Sequence, residues 1–442
     1  MIEQIYMLGY KRRALVALFV LLVTLVTGSG MLKLHVDTSV DSLIPTGDPS
    51  RLVYQRIMGE FGTDNKTIIY ISDPDLWTPD KLAKIEKLHF EIEKIDGVSR
   101  VDSLFTLNTV QGKDNKIVSR PLILAVPKTE QEALKAKKSA LGNSLYQGNY
   151  FSDDGNVTAI IVSVNNAEDS NNFNRAIYLA LEERIQIHRG SFERIAQVGP
   201  PRINAELKHS LYKDFILLGP LSVVILIVSI LIFMRSWLSA FVPLVTSLLT
   251  IIWTFGMMGW VGVPLNILSA MIPSLIIVIG STEDTHMMAA FLRGLSEKKQ
   301  GSSRKEAVKY MAKHIGLPMM LTILTTTLGF ASNLFSNIGL IQHFSFAATF
   351  AMLANGLITI LIMPLMLSIF GAKTSTHLVQ DVKRNSMPDR IMSVFRFFQD
   401  HFPKSILFFT ALLCSFFIYQ ASKLYVTNDP LSYFPSDRPL IM

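Results

Sequence analysis

Cysteine is all but missing: one residue, Cys414, inside an apolar run, excludes a disulfide framework and any zinc site built on thiolates. Charge is scarce too. Asp, Glu, Lys and Arg make up 17% of 442 residues against 49% apolar, too few for an ordinary soluble protein and too apolar for a disordered one. The scarcity is uneven, with none of these four types in the 59 residues from 314 to 372, more than one membrane crossing needs. There is no Gly-rich phosphate loop, no HExxH and no Ser/His/Asp constellation, so the residues do not describe an enzyme, and no cofactor is expected. A net charge of +7 in such a chain is a matter of membrane sidedness and not a nucleic-acid signal.

What the chain has is long apolar runs. They fall at 14–32, 215–234, 237–263, 264–292, 314–372 and 405–422, and the fifth must hold two crossings with a turn at Ser336-Asn337-Ile338-Gly339, which makes seven spans. Lys and Arg are enriched in cytoplasmic segments. The alternate segments beginning with Lys11, Arg12 and Arg13 carry 17 basic against 6 acidic residues, whereas 33–213 carries 23 against 24. The expected layout is a cytoplasmic N-terminus with the first span (1–32), an outer domain (33–213), spans two to six (214–372), a cytoplasmic linker (373–404), a seventh span (405–422) and the start of a second outer domain (423–442). A cleaved signal peptide is the alternative for the first run, but no A-x-A-like site follows it.

The second outer segment is read from a repeat. KLHVDTSVDSLIPTGDP from Lys33 and KLYVTNDPLSYFPSDRP from Lys423 align without a gap, six of seventeen positions being identical, each directly after an apolar span. Six spans separate the copies, so both face the same way, a parallel repeat about the membrane normal. This predicts one half of a duplicated transporter plus the first span of another, the rest being a missing C-terminal half or a second subunit.

Within 33–213, strands are expected at 67–71, 98–104, 157–164 and 194–198, and helices at 79–95, 129–141 and 173–187. Gly199-Pro200-Pro201 reads as a break, with a helix from near Asn204 running into the second span. The interleaving predicts βαβ-type units in two small α+β subdomains.

The sharpest chemical signal is IGSTEDTHMM in the fourth span, with Glu283, Asp284 and His286. An acid in hydrocarbon costs several kcal/mol, so it reads as a functional site, placed here in the cytoplasmic half. Desolvation disfavours its charged form, which suits a proton carrier. Glu283 and His286, three apart, share a helix face, and His286 either orients that proton or is an ordinary helix histidine. Glu-x-x-His also matches di-iron bundles, which need further carboxylates on facing helices; no metal is expected. Thr322, Thr325, Thr326, Gly329, Ser332 and Asn333 form a polar stripe on the fifth span, either a packing face or a source of hydroxyl partners for the acids, and Ser345, Thr349, Asn355 and Thr359 form a weaker one on the sixth. Pro273 and Gly280 are candidate hinge positions.

One span, a large outer domain, five more spans and a parallel repeat resemble the resistance-nodulation-division superfamily of proton-driven exporters. Gly280, Glu283 and His286, the HIGLPMMLTILTTTLGFASNLFS run and GPPRINAEL before the second span look like its MmpL-like, predicted-exporter branch. The resemblance implies a polytopic α-helical protein of the bacterial inner membrane with a periplasmic, ferredoxin-like α+β porter domain. It further implies that Glu283, Asp284 and His286 relay protons while a hydrophobic or lipid-like substrate moves outward. Thr282 stands where the superfamily usually has an aspartate. A different class, a substrate-binding or secretion-helper module similar to SecD/SecF proteins, shares the layout without small-molecule flux.

Overall fold

Helices of hydrocarbon length dominate the chain. The computed structural model describes residues 2–37, 49–61, 65–113, 116–143, 145–165, 170–234, 237–296, 303–371 and 387–425. It begins with α1 (Ile2–Lys11), α2 (Arg13–Gly30) and α3 (Pro49–Phe61). The outer domain continues with β1 (Lys66–Ser72), α4 (Pro79–Glu93), β2 (Val98–Asp102), β3 (Asn108–Lys113), β4 (Lys116–Pro121), α5 (Glu130–Leu141), β5 (Val157–Val164), α6 (Ser170–His188) and β6 (Arg194–Val198). Then follow α7 (Pro200–Met234), α8 (Trp237–Val261), α9 (Ile272–Ser296), α10 (Arg304–Ser332), α11 (Gly339–Phe370), α12 (Met387–His401) and α13 (Pro403–Ala421). Among the described residues seven helices are long and apolar enough to cross a membrane: α2, α7, α8, α9, α10, α11 and α13. Most of the segments carrying the repeat, 38–48 and 426–442, lie outside the described residues.

The outer domain grows from strict alternation. In β5 Thr158, Ile160, Val162 and Val164 are buried while the residues between them are half-exposed. The strand order is β2-β5-β1-β6, every neighbouring pair antiparallel. Leu82, Ile85, Leu88 and Ile92 of α4 recur at helical spacing and are completely buried in the same core as Ile177, Leu181 and Ile185 of α6. Each such side chain contributes about 1.5–3 kcal/mol, which holds helices too short to persist alone. Thr78 caps α4 through its extended backbone, and its hydroxyl turns back to the Asp75 carbonyl. Gly97, at φ 90°, ends the turn after α4 in a conformation other residues avoid.

Three expectations need correction here. The strands that alternate with α4 and α6 form one sheet and not two subdomains, because β1 pairs with both β5 and β6. The two-stranded β3–β4 hairpin was not anticipated: its NTVQGK and KIVSRP segments lack an apolar face to mark them. The break after β6 is a single residue, Gly199, and α7 starts at Pro200 and not near Asn204, since the first turn of a helix has no use for the N–H that proline lacks. The resulting 35-residue helix, about 52 Å long at 1.5 Å per residue, runs from the outer domain through the second span. Arg202 ties its start to the sheet, donating to the Gln197 carbonyl at 2.7 Å and pairing with Glu206 at 2.9 Å.

The membrane bundle is built round α11, the most enclosed span, with 78% of its apolar window buried, against 22% for α2 and α10, 6% for α7 and none for α13. α2 lies on α8 through glycines: a Cβ on Gly30 would overlap the Gly256 carbonyl, and one on Gly256 would overlap Thr27. Trp253 adds an indole hydrogen bond to Thr24 at 2.8 Å. Beyond α2 the chain pairs with the α8–α9 connection, Leu265 N–H donating to the His35 carbonyl and Asp37 N–H to that of Leu265, both at 2.8 Å. Pro273 is the second residue of α9, where its ring costs no hydrogen bond.

A buried ion pair makes the outer domain acid-sensitive. Asp73 meets Lys81 at 2.6 Å, Lys81 also donates to the Ser191 carbonyl, and the Asp75 and Glu193 amides donate to the same carboxylate. Against the upward pull of desolvation, the bonds from Lys81 and the Asp75 amide hold the Asp73 carboxyl below its ordinary range. A depressed folded-state value stabilises the fold above the unfolded-state value and is lost as pH falls through the folded one. Asp73→Asn is expected to cost about 1–3 kcal/mol at neutral pH. Its thermal melting should converge with that of the unaltered chain as the solution is acidified, a trend that calorimetry checks.

Candidate functional site

Threonines one turn apart on α8, two adjacent acids on α9 and a polar pair one turn apart on α11 meet inside the bundle. Asp284 is fully buried and accepts hydrogen bonds from the Thr246 hydroxyl at 2.5 Å and the Thr359 hydroxyl at 2.9 Å. Glu283, 8% exposed, accepts from the Asn355 amide nitrogen at 3.1 Å. The amide's oxygen in turn accepts from the Thr250 hydroxyl at 3.3 Å, so both ends of Asn355 are fixed. Gly280 makes this approach possible, since a Cβ there would stand 2.6 Å from the Asn355 oxygen. Gly280 is thus a contact point between α9 and α11.

The acids stand one and two residues past the midpoint of the helix that spans Ser269–Leu295, toward its basic end. Among the described residues no ion pair reaches either of them; their partners are neutral donors from facing helices. This matters chemically. A lysine or arginine would lock a carboxylate in its charged form, whereas a threonine hydroxyl can turn to donate to a carboxylate or accept from a carboxylic acid. The hydroxyls of Thr246 and Thr359 can thus serve Asp284 in either protonation state.

The other anticipated residues are not brought to this cluster. His286 is exposed and bonds neither acid, although three residues from Glu283. The helix turns its ring to the rim of the bundle while Glu283 points inward. Thr322 and Thr325 are exposed and spend their hydroxyls on the Pro318 and Leu321 carbonyls of their own helix. Thr326 is half-buried, and Asn333 is the exposed C-cap of α10. The α10 face that packs inward is instead Gly316, Met319, Ile323 and Thr327, so the polar stripe faces out. Sequence reasoning missed Thr246 and Thr250. Their signal was legible as Thr246, Thr250 and Thr254, a threonine at every fourth position of α8, all buried.

A membrane bundle with a hydrogen-bonded acid pair at mid-span and an α+β domain between its first two spans defines a class of polytopic membrane protein. The sequence matches the MMPL family over residues 45–401, and the chain belongs to that family, of the RND transporter type. It is also 26% identical over 332 residues to a protein of Methanocaldococcus jannaschii described as a membrane protein, covering 72% of this chain and 80% of the other.

If the Thr359 hydroxyl serves Asp284, a double-mutant cycle of Thr359→Val with Asp284→Asn, read by unfolding in detergent, should give a coupling of about 1–2 kcal/mol. Simple additivity would mean that the two side chains act independently.

Proposed function

We propose that this protein is a proton-driven exporter of the RND type, in which Glu283 and Asp284 take up protons from the outer side and release them to the cytoplasm. The observation that carries this reading is a pair of adjacent carboxyls near mid-span, held by neutral donors from facing helices. Gain and loss of charge there changes what α9 can bond to on α8 and α11, and so shifts α9 against its neighbours. His286, Thr322, Thr325, Thr326 and Asn333 have no part in the relay in this reading. They lie on outward faces suited to a partner helix.

The outer domain is read as a porter domain in the periplasm of a bacterial inner-membrane protein. Its β-α-β-β-α-β core, with strand order β2-β5-β1-β6, has the connectivity of a ferredoxin-like fold once the β3–β4 hairpin and α5 are set aside as insertions. α7 passes bundle movement to it, because Arg202 binds the helix to β6. The cargo is read as hydrophobic or lipid-like, since the exposed flanks of α7 open directly to the hydrocarbon. The sparsely covered α2, α10 and α13 leave room for a second half or subunit.

The test is proton flux through the full chain in liposomes, followed with an internal pH dye under an imposed gradient. Glu283→Gln and Asp284→Asn are each expected to lower flux to the level of protein-free liposomes. Unchanged flux in either variant would overturn the proposal.

A further inference from the structure

The role of α1 is not explained by the site or by the outer domain. It is ten residues long and is set off from α2 at Arg12, whose backbone leaves helical geometry at φ −114° and ψ 55°. Lys11, Arg12 and Arg13 put it on the cytoplasmic side of the first span. A short amphipathic helix at such a place ordinarily lies along the lipid surface. α1 instead docks on the protein. Tyr6 and Met7, 0% and 3% exposed, belong to the same core as Met287, Met288, Met319 and Ile358.

Three contacts seat it. Gly9 lies so close to α11 that a Cβ would overlap the Leu361 carbonyl. Glu3 pairs with Lys309 of α10 at 3.7 Å. The Tyr6 hydroxyl donates to the Met319 sulfur at 3.7 Å. Met287 and Met288 lie one turn beyond the acids on α9, toward its basic end, and share the core with Tyr6.

We propose that α1 is a lid on the cytoplasmic mouth of the Glu283–Asp284 site, with Tyr6 as its plug. The lid rests on packing alone.

Inverted membrane vesicles holding the full chain test the lid. A membrane-impermeant, water-soluble carbodiimide with glycinamide is added on the cytoplasmic face, and modification of Glu283 and Asp284 is read by mass spectrometry. A membrane-permeant carbodiimide serves as the reference for a correctly assembled site. Gly9→Leu, which unseats α1, and Tyr6→Ala, which empties the plug, are each expected to raise impermeant labelling by about tenfold, the change in open population that about 1.4 kcal/mol of lost contact produces. Tyr6→Phe keeps the plug, so its labelling should match that of the unaltered chain. If neither Gly9→Leu nor Tyr6→Ala raises impermeant labelling while the permeant reagent still reacts, α1 is not a lid. Labelling reads access and not flux, so the lid and the proton-carrier reading fail separately.

Discussion

Two carboxyl groups kept in the middle of a membrane bundle without a cation set the terms for everything packed around them. Hydrocarbon offers no water to solvate a charge, and an unpartnered buried carboxylate costs several kcal/mol. The donors therefore come from neighbouring helices: Thr246 on α8, Thr359 and Asn355 on α11, with Thr250 holding the far end of Asn355. That requirement explains why α11 is the most enclosed helix and why a glycine, Gly280, faces Asn355. Neutral donors leave the charge state of the pair free to change.

The acids connect outward through packed elements. α9 packs against α8 and α11 at the acids, and α7 packs on both α8 and α9 before continuing without a break into the outer domain. Arg202 fastens the top of α7 to the sheet through the Gln197 carbonyl and Glu206. On the opposite side α1 sits in the core beneath the acids, fastened to α10 and α11. The two ends of the site thus touch different machinery. The outer domain has its own apolar core and ion pairs.

Much of this organisation was legible in the sequence because it is local. Apolar runs marked the spans, alternation marked β5, and helical spacing marked Leu82, Ile85, Leu88 and Ile92. What lies across from a residue is not local. Spacing put His286 on the face of Glu283, but a residue three positions on is still rotated by about 60°, enough to carry the ring to the rim. The threonine stripe of α10 had the right composition and the wrong orientation, since the small and apolar residues Gly316, Met319 and Ile323 took the inward face. Thr246 and Thr250 escaped notice because threonines in an apolar span commonly bond their own helix, as Thr254 does with the Thr250 carbonyl at 2.7 Å. Only the neighbouring helices revealed that Thr246 also bonds Asp284 and Thr250 also bonds Asn355. The β3–β4 hairpin carried no apolar alternation at all.

Infrared difference spectroscopy of the full chain in lipid, across a pH jump, asks most directly whether the pair exchanges protons inside the membrane. The account predicts a carboxylic-acid carbonyl band that disappears on deprotonation, is lost in the Glu283→Gln, Asp284→Asn double variant and changes frequency in Thr359→Val, because that hydroxyl bonds the Asp284 carboxyl. A difference spectrum identical in the double variant and the unaltered chain would contradict it.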